Sequence, residues 1–120
     1  KTIIAEGWII NASRIEHSVV GIRSRIGHGT TVVNSYIMGN DYYETLDEMA
    51  HNVERGIPKV GIGERCYIKN AIIDKNARIG DDCVISPVGK PENVDHPLYY
   101  IRDGIVIIPK NGTIPHGTVI

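Results

Sequence analysis

An aliphatic residue returns about every sixth position through most of this 120-residue chain, and that period leaves few folds open. Ile9, Ile15, Val20, Ile26, Val32 and Ile37 are spaced 6, 5, 6, 6 and 5. Ile62, Ile68, Ile73, Ile79 and Ile85 follow at 6, 5, 6 and 6, and Ile108, Ile114 and Ile120 at 6 and 6. An amphipathic helix would repeat about every 3.6 residues, and an antiparallel meander would show turn signals about every 8–12. Two positions before most of these aliphatics stands a small residue: Ser13, Ser18, Ser24, Thr30, Ser35, Cys66, Ala71, Ala77, Cys83, Gly112 or Thr118. Residues two apart on a strand share a face, so each hexad turns one small and one large side chain inward. Short strands that turn a corner every six residues and stack on the coil below make a parallel β-helix. Composition agrees, with 21 Ile and 11 Val against 2 Leu and no Phe. Side chains stiff at χ1 suit a pleated ladder better than a helix.

The segments 15–27 and 68–80 align at an offset of 53, which puts them in equivalent parts of different coils. Gly27, Gly63 and Gly80 each follow an inward Ile, where a corner is expected to need positive φ. Two stretches break the hexads. Residues 38–61 carry Leu46, Met49 and Val53 at helical spacing, with Thr45 as N-cap and Gly56 and Pro58 as terminators, so one short helix is expected in an excursion. Residues 86–101 hold three of the six prolines and read as a loop that ends in a strand and replaces about one face of a coil. A solenoid end needs a cap, and the first coil near Ile3 and Ile9 has none, so self-association or cover by another domain is expected there.

The whole chain, 1–120, reads as one all-β domain. Thirteen Lys plus Arg against fourteen Asp plus Glu leave a formal charge of −1, so nothing global attracts nucleic acid or an anionic membrane. No apolar run reaches a membrane span, and a cytoplasmic location is expected. Cys66 and Cys83, 17 residues apart, are expected to stack in adjacent coils as small buried residues. The five His show no zinc-type pairing, so no metal is expected. Gly61-Ile62-Gly63 and Gly27-His28-Gly29 lack the third glycine and helix of a dinucleotide fingerprint, and no P-loop is present. A β-helix of hexads also admits acyl transfer, with His28 or His116 as general base. The competing reading, exposed corner histidines, is the favoured one.

Lys75 lies two residues after inward Ile73, and Lys110 two after inward Ile108. The shared phase puts both ammonium groups on one edge of neighbouring coils, within a few strand spacings of ~4.8 Å. A phosphate or carboxylate between them would relieve their repulsion. Arg78, Lys69, Arg102 and Arg23 are candidates to support such a site. Spacing alone does not separate it from two solvated surface lysines.

Met38 to Thr45 (MGNDYYET), Ile72 to Gly80 (IIDKNARIG) and Lys110 to Ile120 (KNGTIPHGTVI) add specificity. With 17–37, 60–71, 81–85 and 100–109 around them, they closely resemble the C-terminal domain of the ADP-glucose pyrophosphorylases, also called glucose-1-phosphate adenylyltransferases. The resemblance implies a left-handed coil, which physics would not supply because crossovers are overwhelmingly right-handed. It implies an N-terminal nucleotidyltransferase domain outside this chain, where Mg²⁺ and ATP would bind; no cofactor is expected in these residues. That domain would make ADP-glucose and pyrophosphate from ATP and glucose 1-phosphate for glycogen or starch synthesis. The resemblance further implies a tetramer, a plastid location in a plant, and an allosteric effector. Lysines matching Lys75 and Lys110 bind 3-phosphoglycerate in the plant and cyanobacterial branch, with orthophosphate opposing it. Asn40 replaces the usual Ala of that branch and residues 86–99 differ, so a sugar phosphate is an alternative effector. A stand-alone acyltransferase and a ligand-free spacer are the other readings.

Overall fold

The computed structural model of the chain describes residues 12–42 and 44–120 in full, and the backbone of 2–4 and 9–10. The expected exposure of Ile3 and Ile9 concerns side chains outside the described residues. Each hexad forms one short strand, and three strands make a coil. The first coil is β1 (Thr2–Ile4), β2 (Ile9–Ile10) and β3 (Arg14–Glu16). The second is β4 (Ser18–Val20), β5 (Arg25–Ile26) and β6 (Thr31–Val33). In the third, β7 (Tyr36–Ile37) is parted from β8 (Gly61–Ile62) and β9 (Tyr67–Lys69) by the helix α1 (Leu46–Glu54). β10 (Ala71–Ile73), β11 (Arg78–Ile79) and β12 (Val84–Ile85) make the fourth. After β13 (Val94–Asp95) and β14 (Tyr100–Arg102), the fifth coil holds β15 (Ile105–Ile108), β16 (Thr113–Ile114) and a bridge from Val119 to Val84.

Like strands stack in parallel. The first sheet runs β1-β4-β7-β10-β15, the second β2-β5-β8-β11-β16 and the third β3-β6-β9-β12. The register puts Ile26 on Ile62, Ile62 on Ile79 and Ile79 on Ile114. Ile15, Val32 and Ile68 stack likewise, so the offset of 53 spans two coils. Twelve of the fourteen phased aliphatics are buried, and Ile15 is half-buried. Each fully buried one contributes about 1.5–3 kcal/mol. Of the small residues, Ser13 is exposed, Gly112 and Thr118 are half-buried, and the rest are buried. Ser18, Ser24 and Ser35 donate to carbonyls two or three residues earlier in the chain, whereas Thr30 Oγ1 donates across coils to Gly63 O at 2.7 Å, and Cys66 Sγ and Cys83 Sγ to Gly80 O and Pro115 O at 3.1 and 3.2 Å. Cys66 and Cys83 do stack on adjacent coils, both buried. Hydrogen bonding to Cys83 and burial push the Cys66 thiol up, which makes it unreactive.

Two expectations need correction. Gly27, Gly63 and Gly80 do not have positive φ. They are glycine because the next coil lies against them: a Cβ on Gly63 would stand 2.6 Å from Gly80 O. Positive φ falls two residues later in the same turns, at Gly29, Arg65 and Asp82, and at Gly117 in the equivalent turn of the last coil. The Pro-rich stretch replaces no face of a coil. It leaves after β12 is complete and returns as β14, antiparallel to β15, with β13 paired beyond it. Ile101, buried in β14, is what holds this meander on the core.

The helical excursion forms where expected. Thr45 Oγ1 accepts from Glu48 N–H at 3.1 Å while Glu48 Oε1 accepts from Thr45 N–H at 3.2 Å, a reciprocal cap. None of its residues is buried; Leu46 is 81 % exposed and Val53 61 %.

Candidate functional site

The site is the corner where the chain passes from the first sheet to the second. Coil-to-coil hydrogen bonds fix its columns. Asn40 N–H donates to Ile22 O at 2.9 Å, Asn76 N–H to Gly39 O at 3.3 Å and Asn111 N–H to Lys75 O at 3.0 Å. Ile22, Gly39, Lys75 and Lys110 therefore form one column, with Lys75 and Lys110 on adjacent rungs about 4.8 Å apart. Asn76 and Asn111, directly after the lysines, have φ of 60° and 61°. Asn tolerates this left-handed turn, which lets the preceding side chain project outward.

The excursion delivers a counter-charge. Asp41 Oδ1 lies 3.5 Å from Lys75 Nζ. Buried Asn76 holds it there, its Oδ1 accepting Asp41 N–H at 2.8 Å and its Nδ2 donating to Asp41 Oδ2 at 3.1 Å. The Asn76 hydrogen bond, and then Lys75 and Lys110, keep the Asp41 carboxyl below its ordinary value. The Asp41 carboxylate thus faces both ammonium groups, the Asp74 carboxylate is turned to the Lys75 N–H at 2.6 Å, and Lys110 forms no ion pair among the described residues. Both lysines are exposed. An anion with several oxygens could bridge them.

Of the other basic candidates, Arg78, Arg102 and Lys69 are held elsewhere. Arg78 Nη1 donates to Glu44 Oε2 and to Pro58 O, both at 2.9 Å, and so ties the excursion to the second sheet. Glu44 also accepts from Asn52 Nδ2 at 3.0 Å and Val60 N–H at 2.6 Å. Burial raises the Glu44 carboxyl, but these three partners together outweigh it and leave the group below its ordinary value. Arg102 opposes Ile105 at the start of β15, whereas Lys110 follows its end. Its guanidinium pairs with Asp95 and lies 5.4 Å from the Tyr100 ring centre. Lys69 is on the third sheet, paired with Val33. Arg23 is at the lysine corner, two coils below Asn76, where its Nε donates to Asn40 O at 2.9 Å. Asn40, at the position that departs from the plant pattern, is buried and returns a bond from Nδ2 to Arg23 O at 2.7 Å.

His28 and His116 lie on the next corner, between the second and third sheets. Arg65 N–H donates to His28 O, Asp82 N–H to Glu64 O and Gly117 N–H to Asp81 O, so His28, Glu64, Asp81 and His116 form a column. The two imidazoles are three rungs apart, about 14 Å. Among the described residues no cluster of three or more His, Cys, Asp or Glu could hold a metal ion, and no helix is long and apolar enough to cross a membrane.

Asp41, Asn76 and Asn111 are the parts of the corner that spacing did not reveal. The repeated Lys-Asn pair at 75–76 and 110–111 was a readable signal for the two asparagines. Asp41 gave none, because it sits in the excursion, outside the hexad phase.

Comparison with known proteins completes the description. The sequence profile of the GLGC left-handed parallel beta-helix domain matches residues 1–119. The glucose-1-phosphate adenylyltransferase small subunit, chloroplastic/amyloplastic, of Triticum aestivum is 43 % identical over 121 residues. That alignment covers 99 % of this chain and 26 % of the wheat protein, so the chain spans about a quarter of the relative's length. The coil is left-handed, as the resemblance implied. Hexad phase, corner geometry and the profile match agree, and the chain belongs to the GLGC left-handed parallel β-helix domain family.

Proposed function

We propose that this β-helix is the regulatory and assembly domain of a glucose-1-phosphate adenylyltransferase, and that Lys75 and Lys110 are the cationic wall of its phosphate-effector site. The reaction, formation of ADP-glucose and pyrophosphate from ATP and glucose 1-phosphate, belongs to a separate nucleotidyltransferase domain, which also takes Mg²⁺ and ATP. The partners are that domain, further subunits of a tetramer, and an effector: 3-phosphoglycerate, orthophosphate or a sugar phosphate. A plant source would place the protein in plastids, the location in the wheat relative's name; another source would place it in the cytoplasm.

The observation that carries this reading is the pairing of Lys75 and Lys110 on adjacent rungs with one shared carboxylate, Asp41. A rigid solenoid offers only one wall of a site, and allostery needs two states that differ in affinity for the effector. The second wall is therefore assigned to arginines of the nucleotidyltransferase domain. Arg78 and Arg102 enter as supporting residues: Arg78 by anchoring the segment that presents Asp41, Arg102 by fixing the meander beside β15.

The test is the effector response of the full-length enzyme carrying Lys75→Glu or Lys110→Glu. Each variant is expected to need at least about tenfold more 3-phosphoglycerate or sugar phosphate for half-maximal response, as loss of a charged hydrogen bond predicts. An unchanged response in both variants would overturn the assignment.

A further inference from the structure

We propose that the groove between the returning limb of the helical excursion and the corner joining the second and third sheets binds a small phosphate monoester, with Arg25, Lys59 and His116 as its donors. The groove has a volume of about 280 Å³ and is lined by Arg25, Lys59, Glu64, Asp81 and His116 together with Ile57 and its neighbours. That is close to the lower end of ligand-sized cavities, roughly 300 Å³. It runs along the outer side of the second sheet, from Lys59 before β8 to Asp81 and His116 after β11 and β16.

The charged groups of the groove differ in whether they already have partners. Half-buried Arg25 donates its Nε–H to Val60 O at 3.0 Å, and no carboxylate among the described residues lies within 4.0 Å of its guanidinium. Burial pushes its pKa down, and Asp81, Glu44 and Glu64 act on it only from a distance. Those carboxylates are engaged. Glu44 is held by Arg78, Asn52 and Val60, and Glu64 Oε2 lies 3.0 Å from Arg65 Nη1. Asp81 Oδ1 accepts Glu64 N–H at 2.8 Å. Lys59 is exposed and forms no ion pair among the described residues.

His116 adds a directed donor. Its Nδ1 accepts from Asp81 N–H at 2.7 Å, so in the neutral ring Nε2 carries the hydrogen. A guanidinium, an ammonium and an imidazole N–H thus surround one concavity, a donor set that suits a tetrahedral oxyanion more than a planar carboxylate. The free lone pairs of Glu64 and Asp81 can accept hydroxyl hydrogens, and Ile57 and Pro58 can cover carbon. The ligand class is therefore a short polyol phosphate.

Titration of the 15N-labelled 120-residue chain with glycerol 3-phosphate, followed by amide shifts, tests this. The Asp81 and Gly117 amides should move with glycerol 3-phosphate and not with glycerol. Lys59→Met should weaken that response about threefold, and Lys59→Met with His116→Phe about tenfold. The Asn76 and Asn111 amides, which report the lysine corner, should respond alike in all three chains. Groove amides that stay still, that move equally with glycerol, or that respond unchanged in the variants would overturn the proposal. Movement at the groove without movement at Asn76 and Asn111 would support this site and count against the lysine-corner reading instead.

Discussion

The two excursions from the coil are held down in different ways. The segment from Met38 to Val60 crosses the second sheet with a helix that buries nothing, and a buried charge cluster anchors it: Glu44, its side chain 4 % exposed, bound by Arg78, Asn52 and Val60 N–H. The segment from Ser86 to Gly104 adds antiparallel strands to the first sheet and is anchored by apolar burial, Ile101 at 0 % exposure with Leu98 and Tyr99 packed beside it. A charge cluster fixes position and direction but depends on pH, whereas apolar burial does not. The pH-sensitive anchor is the one that presents Asp41 to Lys75.

The sharpest way to break this contrast is to exchange the damage. Ile101→Ala should destabilise the whole solenoid by about 2–5 kcal/mol, because it empties core that β14 shares with β15. Thermal unfolding would show this as one lowered transition, and a loss confined to residues 86–104 would contradict it. Glu44→Gln should cost less, about 1.5–3 kcal/mol, because it removes the charge from hydrogen bonds that an amide of the same shape partly replaces. Its effect should be local, with raised amide exchange across 41–60 and little change in the buried columns of the second sheet.

Acid should imitate Glu44→Gln and spare the meander. The folded carboxyl lies below the ordinary glutamate value of 4.5, so its contribution is complete above that pH and is lost as pH falls through the depressed value. The Val60 amide proton, bonded to Glu44 Oε1 at 2.6 Å, should report a midpoint below 4.5. A midpoint at or above 4.5 would mean that burial outweighs the partners. The smallest effect is expected on the exposed helix, where Leu46→Ser and Val53→Ser should each change stability by less than about 0.5 kcal/mol.

The interior of this molecule was legible because it repeats. The phase at Val20, Ile37, Ile73 and Ile108 is enforced by direct stacking, so each coil states the rule again. Thr45 was legible too, because a cap is decided within four residues. Glu44 with Arg78, 34 residues apart, was not, since the excursion's path over the second sheet has no periodic signature. The same holds for Asp41 and Lys75. The strand that ends the Pro-rich stretch was legible as β14, but β13 and the antiparallel pairing were not, because both strands are short and lie among prolines and polar residues, with little alternation to read. Gly27, Gly63 and Gly80 were found for a wrong reason: close approach of the next coil and a demand for positive φ both select glycine, and only three-dimensional stacking separates them.

The central claim is that Lys75 and Lys110 hold an oxyanion together, with Asp41 as the competitor built into the excursion. Binding of 3-phosphoglycerate to the full-length enzyme tests it most directly when Asp41→Asn is compared with Lys110→Glu. The account predicts binding about two- to fivefold tighter in Asp41→Asn, because an exposed ion pair is worth only about 0.2–1 kcal/mol, and binding at least about tenfold weaker in Lys110→Glu. Equal affinity in the unaltered chain and both variants would contradict it.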